Sequence, residues 1–393
     1  MFTILSKRSG CVYCDRAKSL LTERGIEYVE IPFDSLDEVR TRYAPAVDPD
    51  TIKTFPLIFK NGRCIGGFEH LRDHLEEPIL KEDTNRLSAF PIEHADVYDL
   101  YKKAVSCFWT SDEISLRDDI DAFEALSKNE RHFLTHVLAF FAQSDAIVLQ
   151  NLMSNFCNEV QLLESKMFYS LQAFMESEHS IVYSMLIDAL VRDHREKHRL
   201  FDAITHVPAV RKKALWAQRW LDRSNRFATR LVAFACVEGI LFSGSFCAIF
   251  WLKQRTNMPG LSLSNQFISR DERLHVDHAT ALYRKLEHKL THRELSEIVR
   301  EAVENEKEFI CEALPCKLIG MNAQSMGMYI QFVADCLCID LGHEPIYEAE
   351  NPYTWMTSLG LEGKTNFFES RASDYQRATV NDGDGSGGDE DDF

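Results

Sequence analysis

Phe174-Met-Glu176-Ser-Glu-His179-Ser-Ile-Val-Tyr183 and Ile268-Ser-Arg-Asp271-Glu272-Arg-Leu-His275 are the two stretches on which the reading of this chain turns. Each contains the step Glu-x-x-His, and no third copy of it occurs. Residues three apart share a face of an α-helix, so each stretch offers a carboxylate and an imidazole to one point in space. Two such helices, joined by one inward carboxylate from each of two others, make the ligand set of a dinuclear metal site inside a four-helix bundle.

The two further carboxylates are found by their surroundings. Asp145 interrupts the apolar run 137–148, and Glu238 interrupts the apolar run 232–242. An ionised carboxylate among such neighbours must be paired or must bind a metal. A single Glu-x-x-His is most often a solvated surface pair. Two of them, with two acids isolated in apolar helices, favour metal. The candidate ligands are therefore Asp145, Glu176, His179, Glu238, Glu272 and His275. Oxygen and imidazole donors suit iron or manganese, and the lack of thiolates argues against a structural zinc site. The pattern alone leaves oxidases, ferritin-like stores and radical generators open.

Tyr183 lies one helical turn beyond His179, which places its phenol near the metals. Phe242 and Phe246 follow Glu238 at helical spacing and Ile268 precedes Glu272 by four, so these three are expected to wall off water around the ring. A tyrosine beside a ligand is usually packing; a phenol next to an oxidising cluster in a dry pocket is what storage of a radical requires.

Working outward, amphipathic segments at 128–156, 161–192, 209–221, 225–254, 263–289, 293–313 and 320–341 predict an all-α body from about residue 96. The length of 393 residues suggests more than one domain. The formal net charge of -17 argues against a nucleic-acid partner, although part of it sits in the acidic stretch 382–392. The apolar stretch 231–252 contains Glu238, which disfavours a membrane span. Eleven scattered cysteines and an opening that runs straight into a strand-like segment point to a reducing compartment, the cytoplasm.

The first eighty residues have a different texture. Strands are expected at 2–6, 27–31, 57–59 and 63–65, with helices at 14–24 and 69–75 and a hairpin turn at Asn61-Gly62. Cys11-Val-Tyr-Cys14 sits where the first strand gives way to the first helix, which reads as a thioredoxin-like dithiol. The helix N-terminus would favour a thiolate at Cys11, the nucleophile, leaving Cys14 to resolve. Half a zinc site is the competing reading, but no second cysteine pair lies nearby. Residues 76–94 are polar and broken by Pro78 and Pro91, and are expected to be a linker or arm.

Segments 137–148, 174–188, 232–253, 268–275 and 314–322 closely resemble the small (β, or R2) subunit of class I ribonucleotide reductase in its eukaryotic and viral form, and the likeness runs from about Asp96 to the end. It implies a ferritin-like bundle, a homodimer, and two irons, with manganese or a mixed pair as alternatives. It implies that Tyr183 bears a stable radical. Trp109, in Phe108-Trp109-Thr110, and Asp271 would join His179 in a hydrogen-bonded route to the surface. Tyr375 matches a tail tyrosine that relays the radical to the large subunit, and the acidic end at Phe393 resembles the docking peptide, though Gly383 to Gly388 departs from the usual tail.

Residues 1–78 resemble glutaredoxin through Arg8-Ser-Gly-Cys11-Val-Tyr-Cys14, Thr54-Phe-Pro56 and Gly66-Gly67-Phe68. The resemblance implies a cis Pro56 facing the dithiol and a glutathione groove made by Arg8, Thr54, Phe55, Pro56, Gly67, Phe68 and Glu69. Val12 stands where the family usually has proline, and Cys64 reads as structural. The two resemblances together imply a multidomain chain: a glutaredoxin-like α/β unit (1–78), a linker (79–95), a ferritin-like radical-generating unit (96–350) and a tail that docks the large subunit (351–393). A fused glutaredoxin would sit at high effective concentration near the large-subunit disulfide it re-reduces. A stand-alone diiron oxidase would not need Trp109, Tyr375 or the tail. A metal store would need neither Tyr183 in an apolar pocket nor the dithiol.

Overall fold

The computed structural model describes residues 1–43, 52–81, 86, 88–313, 316–353 and 355–356. The N-terminal part runs β1 (Phe2–Lys7), α1 (Val12–Glu23), β2 (Tyr28–Phe33), α2 (Leu36–Tyr43), β3 (Leu57–Lys60), β4 (Arg63–Gly66) and α3 (Phe68–Glu76). The strand order is β2-β1-β3-β4, with β1 and β2 parallel and the other neighbours antiparallel. Successive strand residues point to opposite faces, and the core divides accordingly. Ile4 packs with Ala17, Leu21, Ile58 and Leu71 on one side of the sheet. Leu5 packs with Phe33, Val39, Leu57 and Phe59 on the other. Asn61 and Gly62 both have positive φ, 50° and 81°, as the two-residue hairpin turn demands.

The short helix α2 was not expected. Val39 is its single buried residue, so it carries almost no apolar period. Its start is set locally: Ser35 Oγ accepts from the Glu38 amide and the Glu38 carboxylate accepts from the Asp34 amide.

The remainder is helical: α4 (Ala95–Ser106), α5 (Arg117–Ala125), α6 (Lys128–Asn151), α7 (Cys157–Glu159), α8 (Leu163–Leu190), α9 (His194–Phe201), α10 (Ala203–His206), α11 (Pro208–Leu221), α12 (Phe227–Gly239), α13 (Ser243–Lys253), α14 (Pro259–Arg284), α15 (His292–Lys307) and α16 (Ala323–Asp340). Helices α6, α8, α12 and α14 surround the candidate site, and one continuous apolar cluster fills the space between them. Sequence-local signals set several ends. Ser127 with Glu130 caps α6 and Thr291 with Glu294 caps α15, each as a reciprocal capping box. Among the described residues, the two stretches long and apolar enough to cross a membrane, Lys128–Glu159 and Phe227–Lys253, are core helices of this bundle.

One expected element is corrected. The segment 225–254 is not one helix; it breaks between α12 and α13. Lys213, 2% exposed, donates to the Leu241 carbonyl at 2.7 Å, and Glu306 accepts from the Gly244 amide at 2.9 Å. Lys213 and Glu306 also pair with each other, and Lys213 lies over the rings of Phe140 and Phe309. A buried ion pair thus holds the backbone groups that the break releases.

The described residues of the stretch expected as a linker lie on the bundle. Ile79 and Leu80 belong to the large apolar cluster, and the Gln161 amide donates to the Ile79 carbonyl at 2.7 Å. Arg86 reaches Glu164, whose side chain is fully buried and also accepts the amides of Glu93 and His94.

Candidate metal centre and dithiol

Each helix of the inner four supplies its acids from its buried face: Asp145 from α6, Glu176 and His179 from α8, Glu238 from α12, and Glu272 and His275 from α14. All six are at most 3% exposed. Their ligand atoms fall into two clusters, Glu176–Glu238–Glu272–His275 and Asp145–Glu176–His179, each within 4.8 Å, with Glu176 common to both. Glu176 lies 3.1 Å from His275 Nδ1 through one oxygen and 3.6 Å from His179 Nδ1 through the other. Glu272 likewise lies 3.0 Å from His275 Nδ1 and 3.1 Å from His179 Nδ1. Two carboxylates therefore stand between the imidazoles, with Asp145 on one flank and Glu238 on the other. These six residues would hold a pair of metal ions.

The residues fit such ions. Both oxygens of Asp145 and of Glu176, Glu238 Oε2, Glu272 Oε1 and His179 Nδ1 are buried with no hydrogen-bond partner among the described residues. Buried acceptors left unmatched are strongly unfavourable unless a cation meets them. The protons report the same crowding. Burial, reinforced by the Glu176 charge, pushes the Asp145 carboxyl well up. Burial and the charges of Glu272 and Glu176 do the same to Glu238. Burial opposes a charge on His275, yet Glu272 and Glu176 outweigh it and raise the imidazole to about 9. Burial likewise opposes a charge on His179, and the adjacent carboxylates of Asp271, Glu176 and Glu272 outweigh it and raise the imidazole well above its usual range.

Around this cluster the structure gathers the other expected residues. Tyr183 is 2% exposed, and its hydroxyl has no hydrogen-bond partner among the described residues. Burial first, then the charges of Asp145, Glu272 and Glu176, hold its phenol well above the usual range. Its ring stacks on Phe141, with centroids 4.6 Å apart and planes 8° from parallel. Phe246 and Phe242 pack on Phe141 at 4.9 and 5.6 Å, and Ile268 is buried in the same apolar cluster. Phe242 and Phe246 thus reach the pocket together from the start of α13, across a helix break that separates them from Glu238, rather than along one helical face with it. Phe141 itself was not singled out by sequence; it stands four residues before Asp145 on α6, a helical step that could have flagged it.

On the outer side, Trp109 is 1% exposed and donates from Nε1 to Asp271 Oδ2 at 2.7 Å. The same oxygen lies 3.3 Å from His179 Nε2, and the Trp109 and His179 rings are nearly parallel at 5.9 Å. The His179 imidazole is thus oriented by Asp271 on one nitrogen while presenting the other to the carboxylates. Sequence reasoning also missed Gln172, whose amide donates to Glu238 Oε1 at 3.3 Å, and Arg270, which donates to the Cys107 carbonyl at 2.7 Å beside Asp271. Polar residues on a helix carry no periodic signal that separates such partners from solvated ones. Tyr375 and the tail beyond residue 356 lie outside the described residues.

In the N-terminal part Cys11 is the N-cap of α1 and accepts from the Cys14 amide at 3.2 Å. Cys11 and Cys14 are joined as a disulfide. The Phe55–Pro56 peptide bond is cis, and Cys11 Sγ lies 3.8 Å from the Phe55 carbonyl. Gly67 closes on the same corner: a Cβ there would stand 3.5 Å from the Pro56 carbonyl oxygen. The Tyr13 and Phe68 rings are 6.1 Å apart across the opening. Thr54 is exposed. The remaining two expected groove residues are engaged elsewhere: Arg8 with Asp34, and Glu69 with Arg72.

Residues 86–352 match the family model described as ribonucleotide reductase, small chain, and residues 2–65 match the glutaredoxin model. The ribonucleoside-diphosphate reductase small chain of Nicotiana tabacum is 54% identical over 305 residues, 78% of this chain and 93% of that protein. The small chain of Plasmodium falciparum (isolate Dd2) is 50% identical over 333 residues, 85% and 95% of the two chains. Among solved structures, the Rnr4 homodimer of Saccharomyces cerevisiae superposes with a TM-score of 0.68 at 36% identity, covering 78% of this chain and 95% of that one.

Proposed function

The chain belongs to the ribonucleotide reductase small-chain family, with a glutaredoxin domain at its N-terminus, and from that premise we propose that it makes and stores a radical on Tyr183 for use by a separate large subunit. The observation that carries this reading is Tyr183 itself: a buried phenol without a hydrogen-bond partner among the described residues, stacked on Phe141 beside the carboxylate cluster.

Asp145, Glu176, His179, Glu238, Glu272 and His275 would hold the metal pair, two irons or a manganese-containing pair. When bound, that pair supplies the one-electron oxidation of the phenol at the expense of dioxygen. Tyr183 gives up one electron and its phenolic proton. The aromatic wall of Phe141, Phe242 and Phe246 excludes water and other hydrogen donors, which would quench the product. Trp109, Asp271 and His179 supply an unbroken hydrogen-bonded line from the site outward. Along that line an electron can move in short hops while each proton stays local. Tyr375 would continue the route in the tail, which ends at Phe393 and would dock the large subunit.

At the N-terminus, the Cys11 thiolate attacks the large subunit's disulfide, forming a mixed disulfide and releasing one thiol. Cys14 then displaces the second thiol and leaves the Cys11–Cys14 disulfide. Two glutathione molecules reduce that in turn and leave as glutathione disulfide. Gly67, Phe68 and the cis Pro56 corner support a glutathione groove, to which Arg8, Thr54, Phe55 and Glu69 are assigned as expected. The division at residues 78, 95 and 350, homodimer formation as in the yeast Rnr4 protein, and a cytoplasmic location belong to the same reading. Ile181, Met185 and Phe201, large apolar side chains exposed at neighbouring positions on α8 and α9, support the dimer.

Low-temperature electron paramagnetic resonance after reconstitution with metal and dioxygen tests the radical. A tyrosyl signal is expected in the parent chain and should be lost in Tyr183→Phe at unchanged metal content. A signal that survives the substitution would assign the radical elsewhere. For the dithiol, Cys11→Ser should abolish turnover of a matching large subunit when glutathione and glutathione reductase are the only reducing system; unchanged turnover sinks that role.

A further inference from the structure

Helix α3 presents acids that a free-standing thiol module would leave in water. Asp73 is 3% exposed and Glu77, one residue past the helix, 1% exposed. Their partners lie on the bundle. Asp73 stands 3.5 Å from Arg226 Nε, with Arg72 of its own helix at 3.2 Å. Glu77 accepts the backbone N–H of Glu287 at 2.8 Å on one oxygen and that of His288 at 2.7 Å on the other. Arg226 also donates to the His288 carbonyl at 2.9 Å, so one guanidinium joins the α3 carboxylate to the loop that Glu77 grips. Glu76 adds a 2.7 Å contact to His288 Nε2. Carboxylates taken out of water without partners are strongly unfavourable, so this face of α3 is stable only against the bundle.

The other end of α3 belongs to the dithiol corner. His70 Nδ1 accepts the Gly67 amide at 3.2 Å. Gly66 has φ +111°, and a Cβ there would stand 2.6 Å from His70 Cγ, so the ring is held tightly under the Gly66-Gly67 turn. A single rigid helix therefore links the expected glutathione groove to the bundle contacts.

We infer that the bundle carries a built seat for the thiol module, formed by Arg226 and the amides of Glu287 and His288, so that Cys11 works from one fixed place rather than at the end of a tether. A tethered module meets any disulfide within its reach. A seated one meets macromolecular disulfides only when a partner docked on the same bundle brings them to it, while small disulfides reach it freely. The seat stands on the contacts alone; its effect on turnover rests on the reading of Cys11 as reductant of the large subunit.

Hydrogen exchange read by mass spectrometry on the full chain and on Asp73→Ala/Glu77→Ala tests it. Amides of α3 and of residues 287 and 288 should exchange about tenfold or more faster in the variant, with α1 unchanged. Small-angle scattering should show a larger radius of gyration for the variant. Equal exchange and equal radius in the two proteins would overturn the seat. Reduction of hydroxyethyl disulfide by glutathione reports that the module is still folded; if the double variant loses it, Arg226→Gln, on the bundle side, makes the same comparison. Glutathione-driven turnover of the large subunit should fall severalfold in the unseated variant while the small disulfide is still reduced. Unchanged turnover with faster exchange overturns the role of the seat, and Cys11→Ser tests the reductant reading separately.

Discussion

Glu164 touches no metal ligand, yet it shows how a single buried charge shapes this molecule. Its side chain is fully buried and is met by Arg86 and by the amides of Glu93 and His94. Burial works against the ionised form, but the Arg86 guanidinium and those amides win and hold the carboxyl at about 2, below its ordinary 4.5. On acidification the unfolded chain takes up this proton first. The stabilisation is therefore complete above pH 4.5 and is lost as pH falls through about 2. Glu164→Gln should lower the midpoint of urea unfolding at pH 7 and flatten the pH dependence of stability between these two values. A parent and a variant with parallel profiles would contradict the assignment. Tyr183 is the counterpart at this scale: its hydroxyl has no hydrogen-bond partner among the described residues, and no local sequence pattern encodes a missing hydrogen bond.

At the scale of elements, the helices that carry the candidate ligands are held in register by contacts from helices that carry none of them. Helix α14 brings in Glu272 and His275, and its N-terminus is capped from outside. Asp119 of α5 accepts the amides of Gly260 at 2.9 Å and Leu261 at 2.8 Å. Gly260 has no room for a side chain: a Cβ would collide with the Ser115 carbonyl oxygen and stand 2.8 Å from the Leu116 side chain. Gly260→Ala is expected to destabilise the bundle by ~2–3 kcal/mol and to reduce metal occupancy, because α5 and α14 must separate. Differential scanning calorimetry with metal analysis checks this; an unchanged Tm would show that the crossing is looser than these distances indicate. The α12–α13 break teaches the same lesson. Lys213 and Glu306 come from α11 and α15, and their hold on Leu241 and Gly244 turns a run that reads as one helix into two.

The whole molecule places four carboxylates and two imidazoles at the centre of an apolar bundle. Such a centre is self-repelling until cations enter, so metal binding and folding stability are linked. With free metal at ~1,000 times its dissociation constant, the linkage is worth about 4 kcal/mol. Thermal unfolding of the full chain should therefore shift upward on loading with iron(II) or manganese(II) under anaerobic conditions, and back down on chelation. A Glu176→Ala/Glu272→Ala variant, which lacks both carboxylates that stand between the imidazoles, should show little shift. Equal shifts in parent and variant would place the bound ions elsewhere. On the same scale the glutaredoxin domain is part of the architecture, with Asp73 and Glu77 buried against the bundle and Ile79 and Leu80, just beyond it, in the bundle's own core.

The sequence by itself determined which candidate chemical groups the chain carries. Two Glu-x-x-His steps, two acids in apolar helices, and Cys11-x-x-Cys14 after a strand are local patterns with a physical reading, because helical and strand periods convert spacing into direction. It also determined the class of each half, α/β and then all-α, and the Asn61-Gly62 turn. Only the tertiary structure decided how the groups meet. That Glu176 and Glu272 stand between the imidazoles, that Asp271 joins Trp109 to His179, that Phe141 covers Tyr183, and that Asp73 and Glu77 are buried against the bundle all depend on contacts between residues distant in the chain. Such contacts follow from how faces pack, and a linear pattern records only that a face exists, not what will cover it.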